Sequence, residues 1–252
     1  MAPFLPVHTP VSIARQLANL GYGTRRETER LLATRRVTSA DGAVLRDGDR
    51  VGHDVIRVDG APLDPAPGSV ILLHKPVGYV CSTSDRPPLV YDLLPPRFPL
   101  RDPVMATVGR LDADTSGLLL LTDDGALNHL LTSPKSHVPK TYVATLGDPL
   151  RGDEGERFAS GALLLHGEKT PLLPAQLQPL GEREAAVTIS EGRYHQVRRM
   201  FAAMGNHVIT LRRTALAALE LGSLAEGQWR VLDANETSAL VNTARDAKRK
   251  RP

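Results

Sequence analysis

The chain has 252 residues, 41% hydrophobic and 23% charged, a balance that supports one sizeable core plus a small extra module and excludes a disordered or fibrous class. Its single cysteine, Cys81, excludes an intramolecular disulfide and a cysteine-built metal cage, and it fits a reducing cytoplasm. The net charge is only +3, so the nature of any charged partner has to be read from where the charges cluster.

Residues 1 to 11, with Pro3, Pro6 and Pro10, have neither a basic start nor a long apolar run; they read as a flexible arm, not as a secretion signal. No stretch is apolar enough to span a membrane. A first helix is expected over about 12 to 20, closed by Gly21. Thr24-Arg25-Arg26-Glu27 fits a capping box, which opens a second helix running to about Thr34 with Leu31 and Leu32 on its buried side. Short strands follow near Val37 and over Val55 to Val58, separated by the turn pairs Asp41-Gly42 and Asp47-Gly48. The break Asp64-Pro65-Ala66-Pro67-Gly68 is too short to be floppy and marks a domain boundary. The expected division is therefore a small module over 12 to 62, a larger domain over 68 to 235, and a basic tail over 236 to 252 with one more helical turn from Ser238.

The larger domain opens with a strand over Val70 to His74. In the run GRLDADTSGLLLLTDDG, Gly109 to Gly125, four leucines stand between Gly117 and the turn signal Asp123-Asp124-Gly125, the pattern of a strand covered on both faces. Asp112 sits in the loop that enters this strand, and on chemistry alone such an aspartate is more often a turn former than a catalyst. Tyr142 falls in an alternating segment, Thr141 to Leu146, which reads as a strand where a lone tyrosine usually serves packing. Further on, Val197, Met200, Phe201 and Met204 form one helical stripe that Gly205 ends. Arg198 flanks the stripe, half-buried, and Arg199 projects away from it toward solvent or a phosphate.

Four blocks in order carry a family likeness: HKPVGYVCSTSD (74 to 85), the run from Gly109 to Gly125, Lys140-Thr141-Tyr142, and EGRYHQVRRMFAAMGNHV (191 to 208). Together they resemble the RsuA group of pseudouridine synthases over most of the chain, and residues 12 to 60 resemble the S4-type RNA-binding domain that precedes the catalytic domain in that group. The resemblance implies an α+β protein: a small S4-like module joined to a catalytic domain with a large mixed, mostly antiparallel sheet. It implies isomerisation of uridine to pseudouridine in ribosomal RNA without a cofactor. Asp112 would be the nucleophile, Tyr142 the residue stacking on the flipped base, and Arg198 the basic member of the last motif. Arg110 would hold the displaced nucleotide or touch a phosphate; Lys75, with Gly78, would support the pocket floor beside the substrate. Tyr194, His195, Gln196 and Val197 at the helix start would shape the pocket. A carboxylate covered by a base is pushed toward its neutral form, so Asp112 demands a cationic partner, for which helical geometry nominates Arg198.

Two basic clusters suit a polyanionic partner. Residues 12 to 36 carry Arg15, Arg25, Arg26, Arg30, Arg35 and Arg36 against two glutamates, and residues 191 to 213 carry five arginines against Glu191. The first set is expected to bind RNA; either cluster could instead be a solvated face. The wording of the first and last blocks is nearer the small-subunit enzymes, which points to uridine 516 of 16S rRNA in a partly assembled small subunit, modified by a cytoplasmic monomer. A large-subunit specificity, or a non-catalytic role in ribosome assembly, is the alternative. His74, His195 and His207 lack metal-ligand spacing, and no metal is expected.

Overall fold

A computed structural model describes residues 11–86 and 88–249, so the arm expected over 1 to 11 lies, apart from Val11, outside the described residues. The small module packs α1 (Ile13–Asn19) and α2 (Arg25–Ala33) on a three-stranded antiparallel sheet of β1 (Val37–Ser39), β2 (Ile56–Val58) and β3 (Ala61–Pro62). The capping box at Thr24 is formed: its hydroxyl accepts from Glu27 N at 3.3 Å, and Glu27 Oε2 accepts from Thr24 N at 2.7 Å. Ile13, Ala14, Leu17, Leu32, Val37 and Ile56 close a core of their own beneath the two helices.

The larger unit is built on a nine-stranded sheet. Its strands are β4 (Val70–Lys75), β5 (Ala106–Thr107), β6 (Thr115–Thr122), β7 (Lys140–Leu146), β8 (Gln176–Gly181), β9 (Glu184–Ile189), β10 (Val208–Leu216), β11 (Leu219–Glu220) and β12 (Trp229–Val231). The main order is β12-β4-β6-β10-β7-β9-β8, with β5 on β6 and β11 on β10. Only β6 and β10 run parallel; the other pairs are antiparallel, so the sheet is mixed and mostly antiparallel. β6 is an interior strand, between β4 and β10, and its successive leucines alternate between two cores. Leu119 and Leu121 face the helices α4 (Glu154–Ala159) and α5 (Gln196–Ala203), whereas Leu118 and Leu120 face α3 (Gly125–Thr132) and α6 (Ala234–Arg249). The stripe Val197, Met200, Phe201 and Met204 is buried as its period requires, with the rings of Phe201 and Phe158 meeting edge-on at 5.4 Å.

Two expectations change here. Asp123-Asp124-Gly125 is not a plain turn: the Asp124 carboxylate accepts from Ala126 N and Leu127 N and caps α3, while Asp123 is buried in an ion pair with Arg101 at 2.9 Å. The basic tail is also no loose end after one helical turn. Residues 234 to 249 form one continuous helix whose Leu240 and Ala244 are completely buried against the sheet, because the apolar positions 240, 241 and 244 recur at helical spacing behind the lysines and arginines.

The two units meet at a packed joint. Arg97 holds Asp64 through Nε at 2.7 Å and lies over the Tyr22 ring at 4.5 Å, and Asp102 N donates to Asn19 O. Gly21, at φ +83°, could carry no side chain, since a Cβ would stand 2.5 Å from Arg97 O. Arg101 also donates to Pro65 O, and Asp123 accepts from Gly68 N, so the proline-rich break is pinned at both ends.

The loop entering β6 is fastened with equal economy. Lys75, the last residue of β4, is fully buried, and its ammonium donates to the carbonyls of Pro76 (3.0 Å), Asp112 (3.0 Å) and Thr115 (2.8 Å). Burial lowers its pKa from the usual lysine value, and the charges of Cys81, Asp114 and Asp112 oppose that shift. Gly78 N donates to Ala113 O at 2.7 Å, a second strap on the same loop.

Replacing Lys75 by Met leaves three loop carbonyls without their charged donor and should cost at least about 3 kcal/mol of stability in urea unfolding; a loss within about 0.5 kcal/mol would contradict the fastening role. Leu240→Ala should cost about 2–5 kcal/mol in the same assay, and a neutral result would mean that α6 does not contribute to the core.

Candidate active site

A cleft of about 900 Å3 opens between the β6 entry loop, the strand β7 and the head of α5. Asp112 stands on its wall, about two-fifths exposed, with Oδ2 3.5 Å from His195 Nε2. His195 reaches it by an unusual backbone: the residue adopts a left-handed conformation, φ +47° and ψ +36°, at the start of α5. The Tyr194 ring stacks on the imidazole at 3.9 Å and is 75% exposed on the cleft rim.

Arg198 corrects the expectation drawn from helix geometry. It is on the half-buried flank, but its ion pair is with Asp114 Oδ2 at 2.9 Å, and not with Asp112; it also donates to Asp114 O and Val208 O. The flank of α5 meets the loop two residues past Asp112, while the left-handed turn at the helix head swings His195 over Asp112 instead. Arg198 and His195 therefore meet the same loop at different residues, Asp114 and Asp112. Arg199 is not free for a phosphate either: it bonds Glu168 Oε1 at 2.8 Å and His166 O at 2.7 Å, and the Arg199 guanidinium holds the Glu168 carboxyl below its usual pKa. Arg193 is bound to Glu191 and Glu168. The basic cluster over 191 to 213 thus directs much of its charge into ion pairs within the protein, with Glu191 and with Glu168, which a count over that window leaves out.

The remaining expected residues are placed as follows. Tyr142 is buried on β7 and lines the cleft, opposite Arg213 of β10 and Val187 of β9. Arg110 is exposed on the rim. Gln196 and Val197 are buried and line the cleft at the head of α5, Gln196 bridging Glu191 Oε1 and Arg193 N. Lys75 sits beneath the loop and not on the cleft surface, so it supports Asp112 and does not face a substrate. On the small module all six arginines are exposed; Arg36 forms a two-pronged pair with Asp59 and Arg25 pairs with Glu29.

Sequence reasoning passed over two cations that line the cleft floor, Lys140 and Arg213. Burial first, and the charge of Arg213 second, bring the Lys140 pKa down to about 8. Lys140 lies two residues before Tyr142, on the same face of the strand, a spacing that could have flagged it.

Residues 69–203 match the family described as RNA pseudouridylate synthase. A protein of Pasteurella multocida strain Pm70 named ribosomal small subunit pseudouridine synthase A is 44% identical over 222 residues, covering 86% of this chain and 94% of that protein. Its namesake in Escherichia coli K12 is 44% identical over 216 residues, covering 82% and 89%. A crystal structure of a pseudouridylate synthase superposes with a TM-score of 0.65 at 37% identity, covering 92% of this chain and all of that one. The chain belongs to the RNA pseudouridylate synthase family.

Proposed function

We propose that the chain isomerises a uridine of small-subunit ribosomal RNA, uridine 516 of 16S rRNA, to pseudouridine, with Asp112 as the nucleophile. The observation that carries the reading is the Asp112 carboxylate, half-open to a cleft of nucleotide size and fixed in place through its own backbone by Lys75. The small-subunit assignment is supported by the 44% identity to the two named relatives over more than four-fifths of the chain.

The reaction breaks the C1′–N1 bond, turns the base and joins C5 to C1′; C5 loses a proton and N1 gains one, so no net change of charge or oxidation state arises. Such chemistry asks for a nucleophilic carboxylate and for walls that keep the detached base from leaving. Attack at C1′ and attack on the ring both start from Asp112. Its neighbour His195 supplies the nearest imidazole, and Arg198 keeps Asp114, two residues on, from drifting. Tyr142 provides an aromatic surface inside the cleft, and base stacking on such a ring is worth about 1–3 kcal/mol. Arg110, exposed where it lines the cleft, would take the phosphate or the gap beside the flipped nucleotide. Flipping is cheapest in a loop or single strand, which favours rRNA in a partly assembled particle over a finished one.

The exposed arginines of the small module supply the sequence-independent grip. Arg15, Arg26, Arg30 and Arg35 are all exposed on it.

Asp112→Asn should abolish tritium release from C5-tritiated 16S rRNA while leaving RNA affinity within a few-fold; release at the normal rate would sink the assignment. Replacing Arg15, Arg26 and Arg30 together by Gln should flatten the dependence of log affinity on log salt by about 0.7 for each phosphate no longer neutralised, measured by filter binding. An unchanged slope would remove the small module from the RNA-binding surface.

A further inference from the structure

Arg213 is the largest fully buried side chain among the described residues, at 2% exposure, and it lines the cleft floor. Its Nε donates to Leu118 O at 2.7 Å, but Nη2 is buried with no hydrogen-bond partner among the described residues, and none of their carboxylates lies within ion-pair distance of the guanidinium. A guanidinium stays charged under all ordinary conditions, and burying one without a counter-charge is costly. A purely structural buried arginine would be expected to have a counter-charge, as Arg101 has in Asp123. The sheet then sets its neighbours: Arg213 pairs across β10 and β7 with Tyr142, and Lys140 lies two residues along on the same face. Among the described residues Lys140 donates only to Val138 O, and the carboxylate nearest in effect, Glu191, is already held by Arg193, Leu173 N and Gln196. The walls above these cations are apolar, with Val138, Ile189 and Leu211. An apolar slot with a cationic floor suits the edge of a flat heterocycle, not a hydrated phosphate.

We infer that Arg213, assisted by Lys140, grips the uracil ring by its carbonyl oxygens and stabilises the negative charge on the base while it is detached from the sugar. This rests on the reading of Asp112 as nucleophile. When the C1′–N1 bond breaks, its electron pair stays with the base and spreads over N1 and the carbonyl oxygens. A donor fixed at those oxygens lowers the barrier to departure and keeps the anion in the cleft while it turns. When C5 bonds to C1′, the C5 proton is lost, N1 is protonated and the charge disappears. Arg213 is thus a catalytic residue that touches the reacting base, and Gly117 lets it come so close: at φ +110° a Cβ there would stand 2.2 Å from Arg213 O.

The test uses the full chain and single-turnover tritium release from C5-tritiated 16S rRNA, with melting temperature and filter-binding affinity measured on the same preparations. Arg213→Gln should fold and bind RNA normally but react about 100-fold more slowly or worse, the loss typical of removing one oxyanion donor, with Arg213→Lys recovering part of the rate. The pH profile adds a readout that packing alone would not move. Lys140 is protonated below its folded pKa of about 8, so the wild-type rate should fall as pH rises through that value. The groups facing Lys140 are Arg213 from β10 and Glu191 from the loop after β9. Without the repulsion of Arg213, Lys140 keeps its proton to higher pH, and the alkaline limb of Arg213→Gln should move upward. A folded Arg213→Gln with an unchanged rate, a rate loss matched by an equal loss of RNA affinity, or an unmoved alkaline limb would each overturn the inference. Should Arg213→Gln fail to fold, Lys140→Met decides: it must lose the limb near pH 8 and about tenfold in rate, and a normal rate rejects the cationic floor. Release of tritium by Asp112→Asn would instead bring down the underlying assignment, leaving the two failures distinct.

Discussion

One buried ammonium organises the site. Lys75 closes β4 and gathers the carbonyls of Pro76, Asp112 and Thr115, so the loop that carries Asp112 is tied to the neighbouring strand by a charge and not by its own conformational preference. Ordering such a loop costs about 1–2 kcal/mol per residue. Here that cost is met in the fold, before any RNA arrives, because β4 is paired along its full length with β6, Lys75 standing opposite Gly117. The same end of the sheet receives β10, parallel to β6, and so Arg213 and Asp112 are delivered to one cleft from adjacent strands.

Most of the fold was legible because its signals are local. The capping box at Thr24, the four-leucine strand and the α5 stripe each follow from a period or a cap within a dozen residues, and each appears where it was expected. The misread tail shows the limit of local signals: its charges are conspicuous, whereas Leu240, Val241 and Ala244 matter only once there is a sheet to receive them. The loop Asp123-Asp124-Gly125 is similar. Its composition says turn, but the partner of Asp123 is Arg101, twenty-two residues earlier, and no local rule announces it.

The site was legible by position more than by wiring. The spacing that sets Asp112 before β6 and Arg198 on the α5 flank holds, yet the pairings differ, since one positive φ at His195 decides which side chain faces which carboxylate. Charge counting fared worst. The arginines at 193 and 199 are answered by Glu168 and Glu191, one of which comes from a stretch of opposite character well upstream, and Arg213 is not on the surface at all. A window of sequence sums charges that the fold distributes among an ion-pair network, an exposed rim and a buried floor.

The joint between the two units has its own consequence. Arg97 over the Tyr22 ring and Asp102 N on Asn19 O hold the small module to the catalytic sheet, while Arg97, Arg101 and Asp123 pin the linker residues Asp64, Pro65 and Gly68. The span from the arginine-bearing face of α1 and α2 to Asp112 is therefore a fixed length belonging to the protein. An RNA that lies on both must bring its docked phosphates and its reactive uridine to that same separation. On the proposed reading such a joint makes the molecule a caliper, one that gauges an RNA by its dimensions before a base is turned out.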